Sequence, residues 1–276
     1  MTAAQGDYVL KVDGFCPVCE QDSTFAARDP WLRDHFLCLN CSSQPRERAL
    51  FSVLTQLRPD WRKLAIHESS PGTAASRRLQ DQAPGYLASQ YDPSIPWGSV
   101  HPRGWRSEDL ERQTFADARF DLVVTQDVME HVFAPDLAMR EIARTLKPGG
   151  MHICTVPIVN KEGPSVRRAR RKADGTVEHL LEPVFHGNPM DPNGSLVTVD
   201  WGYDIAAYWD AASGLSTTIF TIDDPGRGIQ AEYIEVLVSR KAGVPDLSGD
   251  VAPTPVRESE LRKFARRVKR RLTAAR

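Results

Sequence analysis

The chain reads as an α/β protein with a mainly parallel sheet, preceded by a small metal-binding unit. Three observations point there. Short apolar runs of strand type alternate with segments of helical periodicity between residues 63 and 156. Two further apolar runs, Thr217 to Ile222 and Tyr233 to Ser239, follow each other with only a loop between them, the pattern of an antiparallel hairpin at a sheet edge. Four of the five cysteines fall in two C-x-x-C pairs near the front.

The pairs are Cys16-Pro17-Val18-Cys19 and Cys38-Leu39-Asn40-Cys41. Each tight knuckle lets two thiolates grip one ion, and two knuckles complete a tetrahedron with no open position, the geometry of structural zinc. A unit of about 40 residues buries too little core to fold alone, so metal binding would supply free energy for it. His35 lies between the pairs and could replace a cysteine, though an ordinary packed or exposed histidine is the simpler reading. Cys154 sits in an apolar strand and reads as a small buried residue.

Pro45 to Leu57 carries apolar residues at helical spacing (Ala49, Leu50, Val53, Leu54, Leu57), and Pro59 ends it. Lys63 to His67 is a strand running into a turn of small residues, Glu68 to Thr73. Ala74 to Gln82 is a helix, and Tyr86 to Tyr91 a second strand ending at Asp92-Pro93. Phe120 to Thr125 is a third strand. Asp136 to Leu146 is an amphipathic helix stopped by Lys147-Pro148-Gly149-Gly150, and Met151 to Val156 is a strand. Asp204 to Ala212 is a helix capped by Gly214. The long stretch 158–201 is expected to be a loop, a lid or acceptor side by its length.

The chain has 276 residues, room for one α/β domain plus an accessory unit. With 35 Lys+Arg against 36 Asp+Glu, the formal charge of −1 gives no global field that would mark a nucleic-acid binder. No apolar run reaches transmembrane length. The first 13 residues lack the pattern of a signal peptide, so a reducing, cytoplasmic setting is expected, where paired cysteines favour metal over disulfides. Gly243 to Pro255 reads as a linker. Arg257 to Arg276 carries nine Lys/Arg and two Glu, and its apolar residues at helical spacing suggest a basic amphipathic helix suited to an anionic membrane surface. The expected division is 1–45 metal unit, 46–242 main domain, 243–276 linker and tail.

Phe120-Asp121-Leu122-Val123-Val124, Glu130-His131-Val132 and Glu141 to Gly150, the run FDLVVTQDVMEHV…REIARTLKPGG, resemble the central signature of class I, type 11-like methyltransferases that use S-adenosylmethionine. The resemblance spans about Lys63 to Lys241. It implies a Rossmann-like, mainly parallel seven-stranded sheet whose last hairpin is reversed. It also implies cofactor contacts beyond the carboxyl ends of the strands. Glu68 and Gly72 follow the first strand, although Glu68-Ser69-Ser70-Pro71-Gly72 departs from the family's acidic-x-Gly-x-Gly run. Asp92 would take the ribose hydroxyls, its alternative being a turn aspartate before proline. Asp109 would face the adenine amino group, its alternative being a capping acid. The backbone near Gln126 and Asp127 would pass the methionine part.

His131 is a candidate general base or a loop-ordering residue, and His186, with Asn188, is an acceptor-side candidate. Methyl transfer from a sulfonium needs alignment more than a catalytic triad, and none is evident. The leading expectation is a methyltransferase for a small-molecule or saccharide acceptor. The alternatives are an RNA methyltransferase gripping RNA with the zinc unit, where Arg28, Trp31, Arg33, Phe36 and Arg46 are available, and a non-catalytic scaffold of the same fold.

Overall fold

A computed structural model describes residues 8–188 and 190–243. The basic tail therefore lies outside the described residues, as does most of the linker. Three antiparallel strands open the chain: β1 (Leu10–Cys16), β2 (Gln21–Ala27) and, after the short α1 (Leu32–His35), β3 (Leu37–Cys38). Helix α2 (Pro45–Leu57) follows, then β4 (Ile66–Ser69), α3 (Ala74–Gln82), β5 (Tyr86–Gln90), β6 (Arg106–Ser107), β7 (Phe120–Gln126), α4 (Pro135–Thr145) and β8 (Leu146–Thr155). The stretch after β8 is a set of small antiparallel pairings rather than an open loop. Strand β9 (Val166–Arg167) pairs with β14 (Val199–Asp200), β10 (Ala169–Arg171) with β11 (Val177–His179), and β12 (Phe185–His186) with β13 (Ser195–Leu196). Helix α5 (Ile205–Ser213), β15 (Ser216–Phe220) and β16 (Val236–Arg240) complete the described chain.

The main sheet has seven strands in the order β15-β16-β8-β7-β4-β5-β6. Strands β8, β7, β4, β5 and β6 are parallel, and β16 runs antiparallel to both β8 and β15. The mainly parallel sheet with a reversed last hairpin is therefore present. Helices α2 and α3 are placed where the sequence puts them. Thr73 Oγ1 accepts from Ser76 N at the start of α3, and Pro45 supplies a preset first turn for α2. Strand β8 begins earlier than Met151. Lys147 to Gly150 form a bulge inside the strand, four residues opposite Asp121 alone between the pairs Phe120–Leu146 and Leu122–Met151, and Gly149 takes φ +77° within it.

Side-chain alternation divides the sheet into two buried faces. Leu122, Val124, Ile153, Val236 and Val238 join α2 and α3 on one side. Val123, Cys154 and Leu237 join α4 and α5 on the other. Cys16, Val18, Phe25 and Phe36 of the front unit belong to the first of these clusters. The cysteine unit thus shares one core with the sheet.

Candidate active site and four-cysteine cluster

The four cysteine sulfurs lie within 4.8 Å of one another. Cys16 Sγ is 3.8 Å from Cys41 Sγ, and Cys19 Sγ is 4.0 Å from Cys38 Sγ. Tetrahedral zinc with bonds of about 2.3 Å separates its sulfurs by about 3.8 Å, so the spacing suits one ion. Burial, then the neighbouring Cys16, pushes the Cys19 thiol up to about 12. Four thiolates this close would repel one another, and a cation bound among them offsets that repulsion. His35 is exposed and takes no place in the cluster, and Cys154 is fully buried.

Three consecutive residues just after the second knuckle tie this unit to the sheet. Arg46 Nε pairs with Asp127 Oδ2 at 2.8 Å. Glu47 closes a capping box on Gln44 N and also accepts from Ala75 N of α3 at 2.8 Å. Arg48 is fully buried and donates to Phe36 O (2.6 Å), to Gly228 O (2.7 Å) and to Ser43 O, while its guanidinium lies 4.7 Å from the Phe25 ring centre. Burial lowers its pKa to about 10, still well above neutrality. The charge is met by carbonyls and ring faces rather than by water.

The strand order reverses between β4 and β7, where ligands bind in sheets of this kind. The loop leaving β4 carries Ser70 at φ +57°, a left-handed conformation that favours glycine. Ser70 stands where the acidic-x-Gly-x-Gly pattern has its first glycine, so the turn is kept with a different residue. A side chain added at Gly72 would meet no atom within 4 Å; the backbone there borders open space.

Glu68 is fully buried, and its oxygens accept from Ser76 Oγ (2.8 Å), Tyr86 Oη (2.8 Å) and Gln126 Nε2 (2.7 Å). Burial raises its pKa, partly offset by those three donors. Gln126 also reaches Thr73 and Ser76, so both residues brace the loop from beneath. Asp127, at φ +51°, receives Arg33 Nη2 (2.7 Å), Arg46 and Thr155 Oγ1 (3.0 Å). Burial works to raise its pKa, and the guanidinium of Arg33, then that of Arg46, outweighs it and holds the carboxyl below its ordinary range.

Asp92 is partly buried and accepts from Ser94 N and Oγ, the geometry of a turn aspartate. Asp109 is buried, capping Glu111 N at 3.0 Å. Pairing of β5 with β6 sets their loops side by side, with Ser107 Oγ donating to Asp92 O at 2.8 Å. A cavity of about 460 Å³ opens beside Arg33, lined among others by Trp31, Lys161, Tyr233 and Glu235. His131 and His186 come together past the end of β7, their ring centres 5.0 Å apart. Glu130, buried between them, is the member that sequence reasoning missed. Its only signal was adjacency to His131.

Residues 89–154 match a family model described as a methyltransferase domain. Among curated proteins nothing matches the chain. Of solved structures, an S-adenosylmethionine dependent methyltransferase from Mesorhizobium loti is similar at 14% identity over 70% of this chain and 98% of that one, with a TM-score of 0.46. The 1,6-didemethyltoxoflavin-N1-methyltransferase of Burkholderia thailandensis is similar at 15% identity over 71% and 78%, TM-score 0.45. An amino pentose methyltransferase from Micromonospora echinaspora is similar at 14% identity over 71% and 92%, TM-score 0.45. The matched segment runs from β5 to the end of β8, the heart of the parallel sheet. The centre of the sheet thus matches a methyltransferase-domain model, and a four-cysteine cluster is built onto the front of the same fold.

Proposed function

We propose that the chain transfers a methyl group from S-adenosylmethionine to a small-molecule or saccharide acceptor. The observation that carries this reading is the β4 loop, where Ser70 keeps the left-handed turn and Gly72 borders open space at the reversal of strand order. S-adenosylmethionine bound there supplies a methyl group already activated on a sulfonium. Asp109 at the end of β6 would meet the adenine edge, and Asp92 the ribose, by exchanging its Ser94 contacts for hydroxyl donors. Gly72 would let the backbone approach, with Glu68 and Gln126 as the brace that fixes the loop. Asp127, tied to Arg33 and Arg46, would hold the β7 tip along which the methionine part lies. The cavity beside Arg33 is the proposed acceptor side. The acceptor class is the one the sequence favours, since a formal charge of −1 gives no global field suited to a nucleic-acid substrate.

Zinc in the four-cysteine cluster is part of the same reading and is structural: Cys16, Cys19, Cys38 and Cys41 would fill all four of its positions. RNA is a weaker partner, because Arg33 and Arg46 are spent on Asp127 and Asp34. The scaffold reading has one observation in its favour: protein donors already take both Glu68 oxygens. Incubation with a small-molecule extract and methyl-labelled cofactor separates the two. Label in a product confirms transfer, and label remaining wholly in the cofactor across acceptor classes favours the scaffold.

The described residues contain no helix long and apolar enough to cross a membrane. Contact of the basic tail, 257–276, with an anionic membrane surface remains a proposal. Equal liposome flotation of the full chain and a 1–256 chain would reject it.

A further inference from the structure

Glu130 is almost wholly buried, and neither of its carboxylate oxygens has a hydrogen-bond partner. A buried carboxylate without donors is costly unless a cation compensates it. Two imidazoles face it. His131 Nε2 and His186 Nδ1 each lie 3.7 Å from Glu130 Oε1, too far for a hydrogen bond. One ligand atom from each of the three residues falls within 4.8 Å of the others.

The backbone arranges this. His131 leaves β7 with its neighbour Glu130, whose carbonyl accepts from Thr198 N (2.8 Å) and Thr198 Oγ1 (3.1 Å). The hairpin of β12 and β13 brings His186 from 55 residues further on. The same hairpin supplies Leu196 O, which lies 2.9 Å from His131 Nδ1. If that nitrogen donates its proton to the carbonyl, Nε2 is left as a lone pair aimed at Glu130. An imidazole held by a backbone carbonyl on its far nitrogen is the support a metal-bound histidine ordinarily has.

We infer that Glu130, His131 and His186 form a second metal site, for a borderline divalent transition cation such as Zn²⁺, Co²⁺, Fe²⁺ or Mn²⁺. Two nitrogens and one carboxylate suit that class better than Mg²⁺ or Ca²⁺, which prefer all-oxygen shells, and better than Cu(I), which prefers sulfur. Ligands on a tetrahedral ion of this size sit about 3.3 Å apart, so each imidazole nitrogen needs to close on Glu130 Oε1 by only a few tenths of an ångström from its 3.7 Å. Three protein ligands leave at least one position open, in contrast to the closed four-cysteine cluster. The His186 side chain is partly exposed, so the cluster is within reach of solvent. An acceptor oxygen or a water would complete it.

The test is independent of methyl transfer. Protein whose four-cysteine cluster holds one zinc per chain is titrated with Co²⁺ by calorimetry and visible absorption. The expected result is one further cation, with the weak bands of a nitrogen and oxygen site and no sulfur-to-cobalt charge transfer. His186→Ala, at a half-exposed hairpin position, is expected to keep the fold and to lose affinity by at least the ~10–100-fold that loss of a supporting partner costs. Glu130→Gln should behave alike. No second cation bound up to about 1 mM, the weak end of specific binding, would overturn the assignment. So would cobalt binding unchanged in His186→Ala.

Discussion

Arg46 Nε sits 2.8 Å from Asp127 Oδ2, and Arg33 Nη2 sits 2.7 Å from the same oxygen. Both arginines come from the cysteine unit and its exit helix, while Asp127 terminates the central strand of the sheet. The unit is thereby fixed to the strand tip where the methyl donor is proposed to lie.

Removing Asp127 leaves two guanidiniums, each with side chains less than one-fifth exposed, with only the more exposed Asp34 as a carboxylate partner. Because Asp34 keeps part of the compensation, Asp127→Ala is expected to cost ~2–4 kcal/mol of unfolding free energy, below the full penalty of an unpaired buried charge, measured by denaturant titration. A loss below ~1 kcal/mol would show the pairs to be solvent-screened surface contacts.

Because Cys16, Phe25 and Phe36 pack in the cluster that holds Leu122 and Val236, zinc removal should not melt a separate unit. Chelation is expected to lower the thermal midpoint of the entire described fold while keeping one transition. Cys38→Ser should do the same. Two resolved transitions, one insensitive to chelator, would mean that the shared core carries little coupling.

Two histidines inside the sheet are neutral at pH 7. Burial lowers His67 and His152 to about 3, and their Nε2 atoms lie 2.8 and 2.9 Å from Ser89 Oγ and Thr125 Oγ1. The unfolded chain binds these protons below about 6.5 and the folded chain does not. Their contribution is therefore complete above about 6.5 and falls as pH drops toward 3, by up to about 1.4 kcal/mol per pH unit for each histidine. In denaturation between pH 6 and 4, His152→Leu should flatten the slope by up to that amount. Other acid-sensitive groups, the thiolates included, cancel in the comparison. An unchanged slope would place the His152 proton elsewhere.

Ser70 holds a glycine-like conformation. Ser70→Gly should leave stability level or up to ~1 kcal/mol higher, relief of strain being partly offset by unfolded-chain entropy. Ser70→Val should lose ~1–2 kcal/mol, and both changes are read from thermal midpoints. Equal behaviour of the two variants would mean that the loop relaxes out of the left-handed turn.

Local signals were legible in the sequence, and long-range ones were not. The bounds of α2 and α3 follow from Pro45, Thr73 and helical spacing, and the structure keeps both. The cysteine cluster follows from spacing alone. Strand β6 has two residues and no periodicity to reveal it, and β8 runs through a Pro-Gly-Gly sequence that reads as a stop because its partner Phe120 pins Leu146. The Asp127 ion pairs join residues 81 and 94 positions apart, and Glu130 meets His186 across 56. Only the fold brings such groups together, so Arg33, Arg46 and Glu130 carry no mark of these roles in one sequence.

The central claim is that the tips of β4 to β7 hold an adenosyl ligand, and calorimetry with S-adenosylhomocysteine tests it most directly. The account predicts one binding event per chain, weakened at least about tenfold (about 1.4 kcal/mol) in Asp109→Ala. No heat of binding at millimolar ligand, from protein with its cysteine cluster filled, would contradict it.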